Sequence, residues 1–211
     1  GLIKDITSCG IDLTTNVTNG LIENIWIENS GNDGIDFDAN CSNITIQDTQ
    51  VTNATDDGIF ISASNNVTIT RCLITGNGSS GMDIRDSSSR VIVKDCLVAN
   101  NGATGAGVDG GIEIRGSTNI EVQNCFSVNN TNVSGIFLTN VDNALIKNNV
   151  CNSNDEEGIR KLEILTAVTA GLVQVAEDTS FADNKFNMRK GYVREQTEIG
   201  RDVVTGTLKD E

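Results

Sequence analysis

No residue of this chain is a proline or a histidine. Average usage over 211 residues would supply roughly ten prolines. A chain without proline keeps a donor N–H at every position, as long backbone ladders require. The absence of histidine excludes mechanisms that need an imidazole base and histidine-rich metal sites. No run of 18 apolar residues occurs, so no segment reads as a membrane-spanning helix. Basic residues are scarce, 15 against 29 acidic ones, for a net charge of −14. Nucleic acid and anionic membranes, both polyanions, are therefore poor partners. The charge suits solubility, cation binding, or a neutral or cationic ligand. No C-x-x-C spacing suggests zinc and no P-loop spacing suggests a nucleotide. No signal peptide is visible, and the chain opens without Met inside a repeat-like stretch, Ile3 to Ile6. That reads as a fragment or mature domain whose earlier rungs or N-terminal cap are missing or reduced.

What is present is a repeat. Anchors occur at Gly10-Ile11, Gly34-Ile35, Gly58-Ile59, Gly81-Met82, Gly111-Ile112, Gly135-Ile136 and Gly158-Ile159, at intervals of 24, 24, 23, 30, 24 and 23 residues. Such a period means a solenoid, whose units bury their apolar faces only by stacking. A second motif follows about nine residues after each anchor, as in Asn43-Ile-Thr-Ile-Gln-Asp-Thr-Gln-Val-Thr-Asn53 and Asn66-Val-Thr-Ile-Thr-Arg-Cys-Leu-Ile-Thr-Gly76. Ile44 and Ile46 point one way and Thr45 the other, which is the period of a strand. Each repeat then holds about three short strands separated by Asn, Asp, Gly and Ser turns. Leucine-rich repeats and helical solenoids do not fit this pattern.

G-I-x-I followed by N-x-x-I-x-N-C-x-I-x-N resembles the rungs of the right-handed parallel β-helix, the pectate-lyase-like superfamily, over residues 1–159. The resemblance implies an all-β, single-stranded solenoid of about seven rungs, a rod roughly 30–35 Å tall at about 4.8 Å per rung. It bears on fold more than on function, because enzymes, phage tailspikes and adhesins share it. Residues 160–211 lose the pattern, apart from a degenerate rung at Asp178–Phe186. They read as a last rung followed by a cap, or as an oligomerisation segment, since an open solenoid end needs cover.

Several columns follow from the period. Cys72, Cys96 and Cys125 share a position with Ile25, Thr49 and Asn149, which suggests buried, reduced, structural thiols. Cys9, Cys41 and Cys151 lie in other columns and are left unpaired. Trp26, Gln50, Leu73, Leu97, Phe126 and Val150 form an outward, largely apolar stripe, although the register near Cys125 would also let Phe126 and Val128 point inward. Such a stripe marks an interface, covered by residues 160–211 or by other copies of the chain. Asn16, Asn40, Asn43, Asn53, Asn66, Asn77, Asn129 and Asn132 begin N-x-S/T sequons, which turn composition explains without glycosylation. Asn100 to Gly111 reads as an enlarged, glycine-rich turn that is either a binding loop or a tolerated insertion.

The residue after each Gly-Ile pair should face outward: Asp12, Asp36, Phe60, Asp83, Glu113, Phe137 and Arg160. Asp38, Ser62, Arg85, Arg115 and Thr139 form a neighbouring column, and Asp33, Asp56, Asp57 and Asp109 flank the turns. One face therefore stacks carboxylates at about 5 Å intervals. That is tolerable if they are solvated, hold a cation or share a proton. Asn32-Asp-Gly-Ile-Asp36 and Thr55-Asp-Asp-Gly-Ile-Phe-Ile61 resemble part of the polygalacturonase family. There an N-T-D segment and a D-D pair one rung on supply a general acid and a water-activating pair for inverting hydrolysis. The resemblance implies these roles for Asp33, Asp56 and Asp57. It departs from that family in having Asn32 directly before Asp33, and in lacking the downstream histidine motif and the Arg-x-Lys. The D-D-G turn is also an ordinary β-helix turn, because Asp favours turns and Gly accepts φ > 0. A lyase would need a cation on Asp33, Asp36 and Asp57, with Ca²⁺ the natural choice, and a base that the residues do not identify. Epimerase chemistry on this fold uses a histidine motif that is absent.

The reading that asks least is carbohydrate recognition. Phe60 and Phe137 would meet sugar faces; Asp36, Asp83, Glu113, Arg85 and Arg115 would meet hydroxyls or acidic groups. The expectation is an extracellular, virion-surface or cell-surface polysaccharide-binding module of tailspike or pectinase type. Its enzyme status is open, with hydrolysis ahead of elimination, no metal assigned, and a trimer or fibre of like chains. The alternative is a non-catalytic structural or adhesive rod assembling through the stripe and the C-terminal segment.

Overall fold

The computed structural model describes residues 1–103, 110–162, 180–182, 185–186 and 193–196. Short alternating runs form strands wherever β-branched residues occupy every second position. In Ser42–Gln47, for example, Ile44 and Ile46 are buried while Asn43 is exposed. The strands build three parallel sheets. The first contains Leu2–Ile6, Trp26–Ser30, Gln50–Thr52, Leu73–Thr75, Leu97–Ala99, Phe126–Val128, Val150–Cys151 and Lys185–Phe186. The second contains Ile11–Leu13, Ile35–Phe37, Ile59–Ser62, Met82–Arg85, Gly110–Arg115, Ser134–Thr139, Ile159–Leu162 and Val193–Gln196. The third runs from Leu21–Glu23 through Ser42–Gln47, Asn65–Thr70, Ser89–Lys94, Thr118–Gln123 and Asp142–Lys147 to Ser180–Ala182. The chain visits the sheets in rotation, so each turn lies on the one before it.

About six turns are complete. The seventh anchor, Gly158-Ile159, opens a turn whose residues 163–179 lie outside the described residues, as does most of the expected cap. The backbone at Ser180–Ala182 pairs with the Asp142–Lys147 strand, and that at Lys185–Phe186 with the Val150–Cys151 strand, so strands continue there. Among the described residues, no helix is long and apolar enough to cross a membrane.

The interior is filled by stacked columns of aliphatic side chains from all three sheets; in one of them Ile35, Ile59, Met82, Ile112 and Ile136 are fully buried one above another. Removing one such side chain would cost about 2–5 kcal/mol. Cys72, Cys96 and Cys125 are buried and free of disulfides, as the column predicts. Hydrogen bonding between the stacked thiols, and then burial, pushes Cys72 and Cys96 well above the ordinary thiol range, so they stay protonated.

The corners explain the Asn and Gly content. Seven of the eight sequon asparagines have positive φ, from 54° at Asn66 to 69° at Asn16. Asn tolerates the left-handed region better than any other residue except glycine. The eighth, Asn77, is fully buried. It belongs to a ladder that the sequence did not reveal. Asn77 donates to Asn101 Oδ1 at 2.9 Å, Asn101 to Asn130 Oδ1 at 3.0 Å, and Asn130 to Asn154 Oδ1 at 2.9 Å. Each Oδ1 also accepts a backbone N–H from the turn before. The 30-residue interval is absorbed between Asn101 and Gly111, so the ladder passes it without a break.

The anchor glycines, by contrast, do not serve positive φ. A Cβ on Gly58 would sit 2.4 Å from Ile74 Cγ2 and 2.5 Å from the Gly81 carbonyl oxygen. Glycine is required there because the corner packs against the next turn.

The ladder predicts that Asn101→Ala, which orphans buried amides above and below it, lowers unfolding stability by about 2–4 kcal/mol in urea titration. Glu121→Gln, on the outside of the third sheet, should change it by less than about 0.5 kcal/mol.

Candidate functional site

The corner between the first and second sheets brings Asp33 and Asp57 together on adjacent turns. Gly34 N–H donates to the Asp57 carbonyl at 2.9 Å, and the Asp57 N–H donates to Asp33 Oδ1 at 2.9 Å. Asp57 Oδ1 in turn accepts the Ser80 N–H at 2.8 Å. Both aspartates therefore tie one turn to the next, and both are buried. Asp56, exposed, completes the group: one oxygen from each of Asp33, Asp56 and Asp57 lies within 4.8 Å of the others. The sequence-based grouping of these three is thus reproduced in space. Cys9, Asp33 and Asp36 form a second cluster of the same tightness. There Asn32 donates to Cys9 Sγ at 3.5 Å and to Asp33 Oδ2 at 3.3 Å.

Burial pushes Asp57 up from 3.8 to about 8, helped by the negative charges of Asp83, Asp33 and Asp56 and opposed by the Ser80 N–H. Burial likewise pushes Asp33 up to about 6, opposed first by the Asp57 N–H. Asp36 is raised by burial and by Asp38 and Asp12. A cluster this close holds a proton or a cation rather than three full negative charges. Three carboxylate oxygens also form a donor set that suits a hard ion such as Ca²⁺.

Further along the second sheet the outward column departs from expectation. Asp83, Glu113 and Phe137 lie on the outer side of their strands but are buried, with Glu113 at 0% and Phe137 at 2% exposure. They are not a solvated acidic face. The two carboxylates are tolerated because guanidiniums neutralise them. Arg115 Nη2 lies 2.7 Å from Asp83 Oδ2 and its Nε 3.0 Å from Glu113 Oε1, while Arg85 Nη1 lies 3.4 Å from Asp83 Oδ2. Ser80 donates to Glu113 Oε2 at 3.1 Å. Asp83 remains raised, because burial outweighs Arg115 and Arg85. The rings are also occupied. Arg85 lies 4.2 Å over Phe60, and Arg160 lies 5.3 Å over Phe137. Phe137 therefore offers no open face to a sugar, and Phe60 shares its face with Arg85. Asp109 and most of the enlarged turn lie outside the described residues.

Sequence reasoning passed over Ser80, Ser134, Glu156 and Glu157. Ser134 donates toward both glutamates, and Arg160 pairs with Glu156 at 3.3 Å. Ser80, Ser134 and Glu157 occupy the position before the anchor glycine, where Asp33 and Asp57 also sit, so the column itself was the available signal.

The right handed beta helix region family matches residues 2–125 and 75–162. The chain belongs to the right-handed β-helix family. Among solved structures similar in fold, the periplasmic alginate epimerase AlgG superposes with a TM-score of 0.67 at 16% identity, covering 91% of this chain and 50% of its own. The pectate lyase Pel9A gives a TM-score of 0.59 at 13% identity, covering 92% and 55%. The enzymatically active domain of bacteriophage CBA120 tailspike protein 2 gives 0.55 at 15% identity, covering 88% and 26%. At these identities the likeness is one of fold, and this β-helix spans about half the length of AlgG. A search of curated proteins by sequence finds no match.

The raised carboxyls make a pH prediction. Folding favours protonated Asp57 and Asp33, so the folded state binds more protons than the unfolded state between about pH 4 and 8. Their stabilising contribution is complete below the unfolded value of 3.8 and is lost as pH rises through about 6 and then about 8. The urea midpoint should fall from pH 5 to pH 8.5, and Asp57→Asn should flatten that fall. An unchanged slope in the variant would count against the assignment.

Proposed function

We propose that this β-helix recognises a polysaccharide along the outer face of its second sheet and hydrolyses it at the Asp33–Asp56–Asp57 corner. One observation carries the reading. Two buried carboxyls on adjacent turns meet an exposed third within 4.8 Å, and one of them is held protonated at neutral pH. Asp57 is the proton donor to the glycosidic oxygen, and Asp33 with Asp56 is the carboxylate pair that supports the attacking water. Elimination is less well supported, because the arginines beside the cluster are committed to Asp83, Glu113 and Phe60. The fold neighbours that act on alginate and pectate, and the tailspike, support a polysaccharide as ligand and a location outside the cytoplasm or on a virion or cell surface.

The test is release of reducing ends from a panel of neutral, acidic and amine-bearing polysaccharides. Asp57→Asn should lower the rate by about 10²–10⁴-fold while leaving glycan binding in place. Products absorbing as unsaturated sugars would indicate elimination instead. Binding without any product would leave recognition alone.

A second reading rests on the first sheet, where Leu2, Trp26, Leu97 and Phe126 are exposed in one column with Leu73 and Val150, interrupted by the polar Gln50 between Trp26 and Leu73. A stripe of this kind is suited to a second copy of the chain. Light scattering should find an oligomer that Leu97→Lys combined with Phe126→Lys converts to monomer. A wild-type chain that stays monomeric at high concentration would contradict self-assembly.

A further inference from the structure

We propose that the outer face of the third sheet is a second binding face, separate from the Asp33–Asp57 corner, and that it takes an acidic polysaccharide. The inference goes beyond the hydrolysis proposed above and does not depend on it.

The third sheet repeats one outward pattern until Ser89–Lys94. Asn43, Thr45 and Gln47 face out from one strand, and Asn66, Thr68 and Thr70 from the next. In Ser89–Lys94 the same positions hold Arg90, Ile92 and Lys94. Asn119, Glu121 and Gln123 follow, then Asn143, Leu145 and Lys147. The amide column is hydrogen-bonded before the change, from Asn66 to Asn43 and from Asn43 to Asn19, and again after it, from Asn143 to Asn119. Arg90 interrupts it, donating instead from Nη2 to Asn65 Oδ1 at 2.9 Å. A groove of about 470 Å³ opens at the interruption, lined chiefly by Asn66, Arg90, Ile92, Asn119, Glu121 and Leu145. Ile92 and Leu145 are only half-buried, so the groove offers apolar surface between amides and cations.

Charge selects the occupant. Lys4, Arg71, Arg85, Arg115 and Arg160 each hold a carboxylate. Among the described side chains, the cations that form no ion pair are Arg90, Lys94 and Lys147, and all three stand on this face. Unpaired like charges gathered on one sheet repel until an anion joins them. Lys94 and Lys147 lie two turns apart, about 10 Å, and Arg90 lies about 13 Å from Lys94 along the strand. Glu121 sits between Ile92 and Leu145, so the ligand's charges must be spaced to avoid it. A polymer of sugars with a carboxylate at intervals meets these demands. Its carboxylates meet the three cations, its hydroxyls the amide column, and its C–H faces Ile92 and Leu145. Nucleic acid fits less well, because the strands of this face from Leu21 to Lys147 carry no aromatic residue on which bases could stack. The net charge of −14 also opposes densely charged partners such as duplexes and anionic membranes.

The test is calorimetric titration of the full chain at neutral pH, carrying Asp57→Asn so that hydrolysis does not consume the ligand. The probes are hexamers of galacturonate and of glucuronate, the methyl ester of the first, oligothymidylate, and phosphatidylserine vesicles. At least one acidic hexamer should bind, with an affinity that falls as salt rises. The methyl ester, alike in shape but uncharged, should bind about tenfold more weakly than the acid. Arg90→Gln, Lys94→Gln and Lys147→Gln should each weaken binding by about twofold to fivefold, and Glu121→Gln should strengthen it by a similar factor. Lys4→Gln, which removes the same charge from the first sheet, should leave binding unchanged and so separates a site from an effect of net charge. Several results would each overturn the proposal: no binding of either acidic hexamer, equal binding of the ester, unchanged binding when Arg90, Lys94 and Lys147 are all replaced, or tighter binding of oligothymidylate or vesicles. All of them leave hydrolysis at Asp57 standing, since that is read from reducing ends released by the wild-type chain. Absence of reducing ends would remove hydrolysis and leave this face.

Discussion

Everything in this molecule depends on backbone hydrogen bonds that join each turn to the next in register. A residue's N–H meets the carbonyl of a residue about two dozen positions away, as Gly34 meets Asp57 and Leu97 meets Cys72. Because the register hardly slips, like side chains become vertical neighbours at about 4.8 Å. That constraint selects what each column can hold. Apolar columns gain from it by stacking isoleucine on isoleucine. Asparagine columns gain because an amide both donates and accepts, so each residue satisfies the next. Carboxylate columns lose, because identical charges are brought together without water between them.

The candidate site lies where that loss is greatest. At Asp33 and Asp57 the protein uses each carboxylate to cap the following turn and leaves the pair crowded, so that burial raises both. One and two turns beyond Asp57, at Asp83 and Glu113, the same problem is met by two arginines. One half of the face is thus balanced internally and the other is not. The unbalanced half is the part able to exchange a proton or attract a counter-charge. This division of labour follows from the columns and requires no residue of unusual reactivity.

Much of the fold was legible in the sequence because a solenoid writes its geometry as a period. Gly-Ile anchors, strand alternation in Asn43–Asn53, the cysteine column and the outward stripe from Trp26 to Val150 can each be read by aligning the chain on itself. Vertical adjacency of Asp33 and Asp57 follows from the same alignment. Burial on the outer side of the strands could not be read, since it depends on what packs across a face rather than along a column. Asp83 and Phe137 show this: their column was correct and their exposure was not. The arginine partners were invisible for a similar reason, as Arg115 reaches diagonally to Asp83, 32 residues away. The buried asparagines were hidden by their own abundance. Asn77 resembles a turn or glycosylation asparagine in sequence, and only the constant offset of four residues after Leu73, Leu97, Phe126 and Val150 distinguishes its column. The anchor glycines were legible as positions but misread as to cause, because close approach and positive φ leave the same residue behind.

The most direct test of the stacked register is through-hydrogen-bond scalar coupling measured by NMR on the deuterated chain. The account predicts couplings from the Gly34 amide nitrogen to the Asp57 carbonyl carbon, from Gly58 to Ser80, and from Leu97 to Cys72. Couplings shifted by a residue, or linking each of these amides to a partner near it in sequence, would contradict the columns and the site built on them.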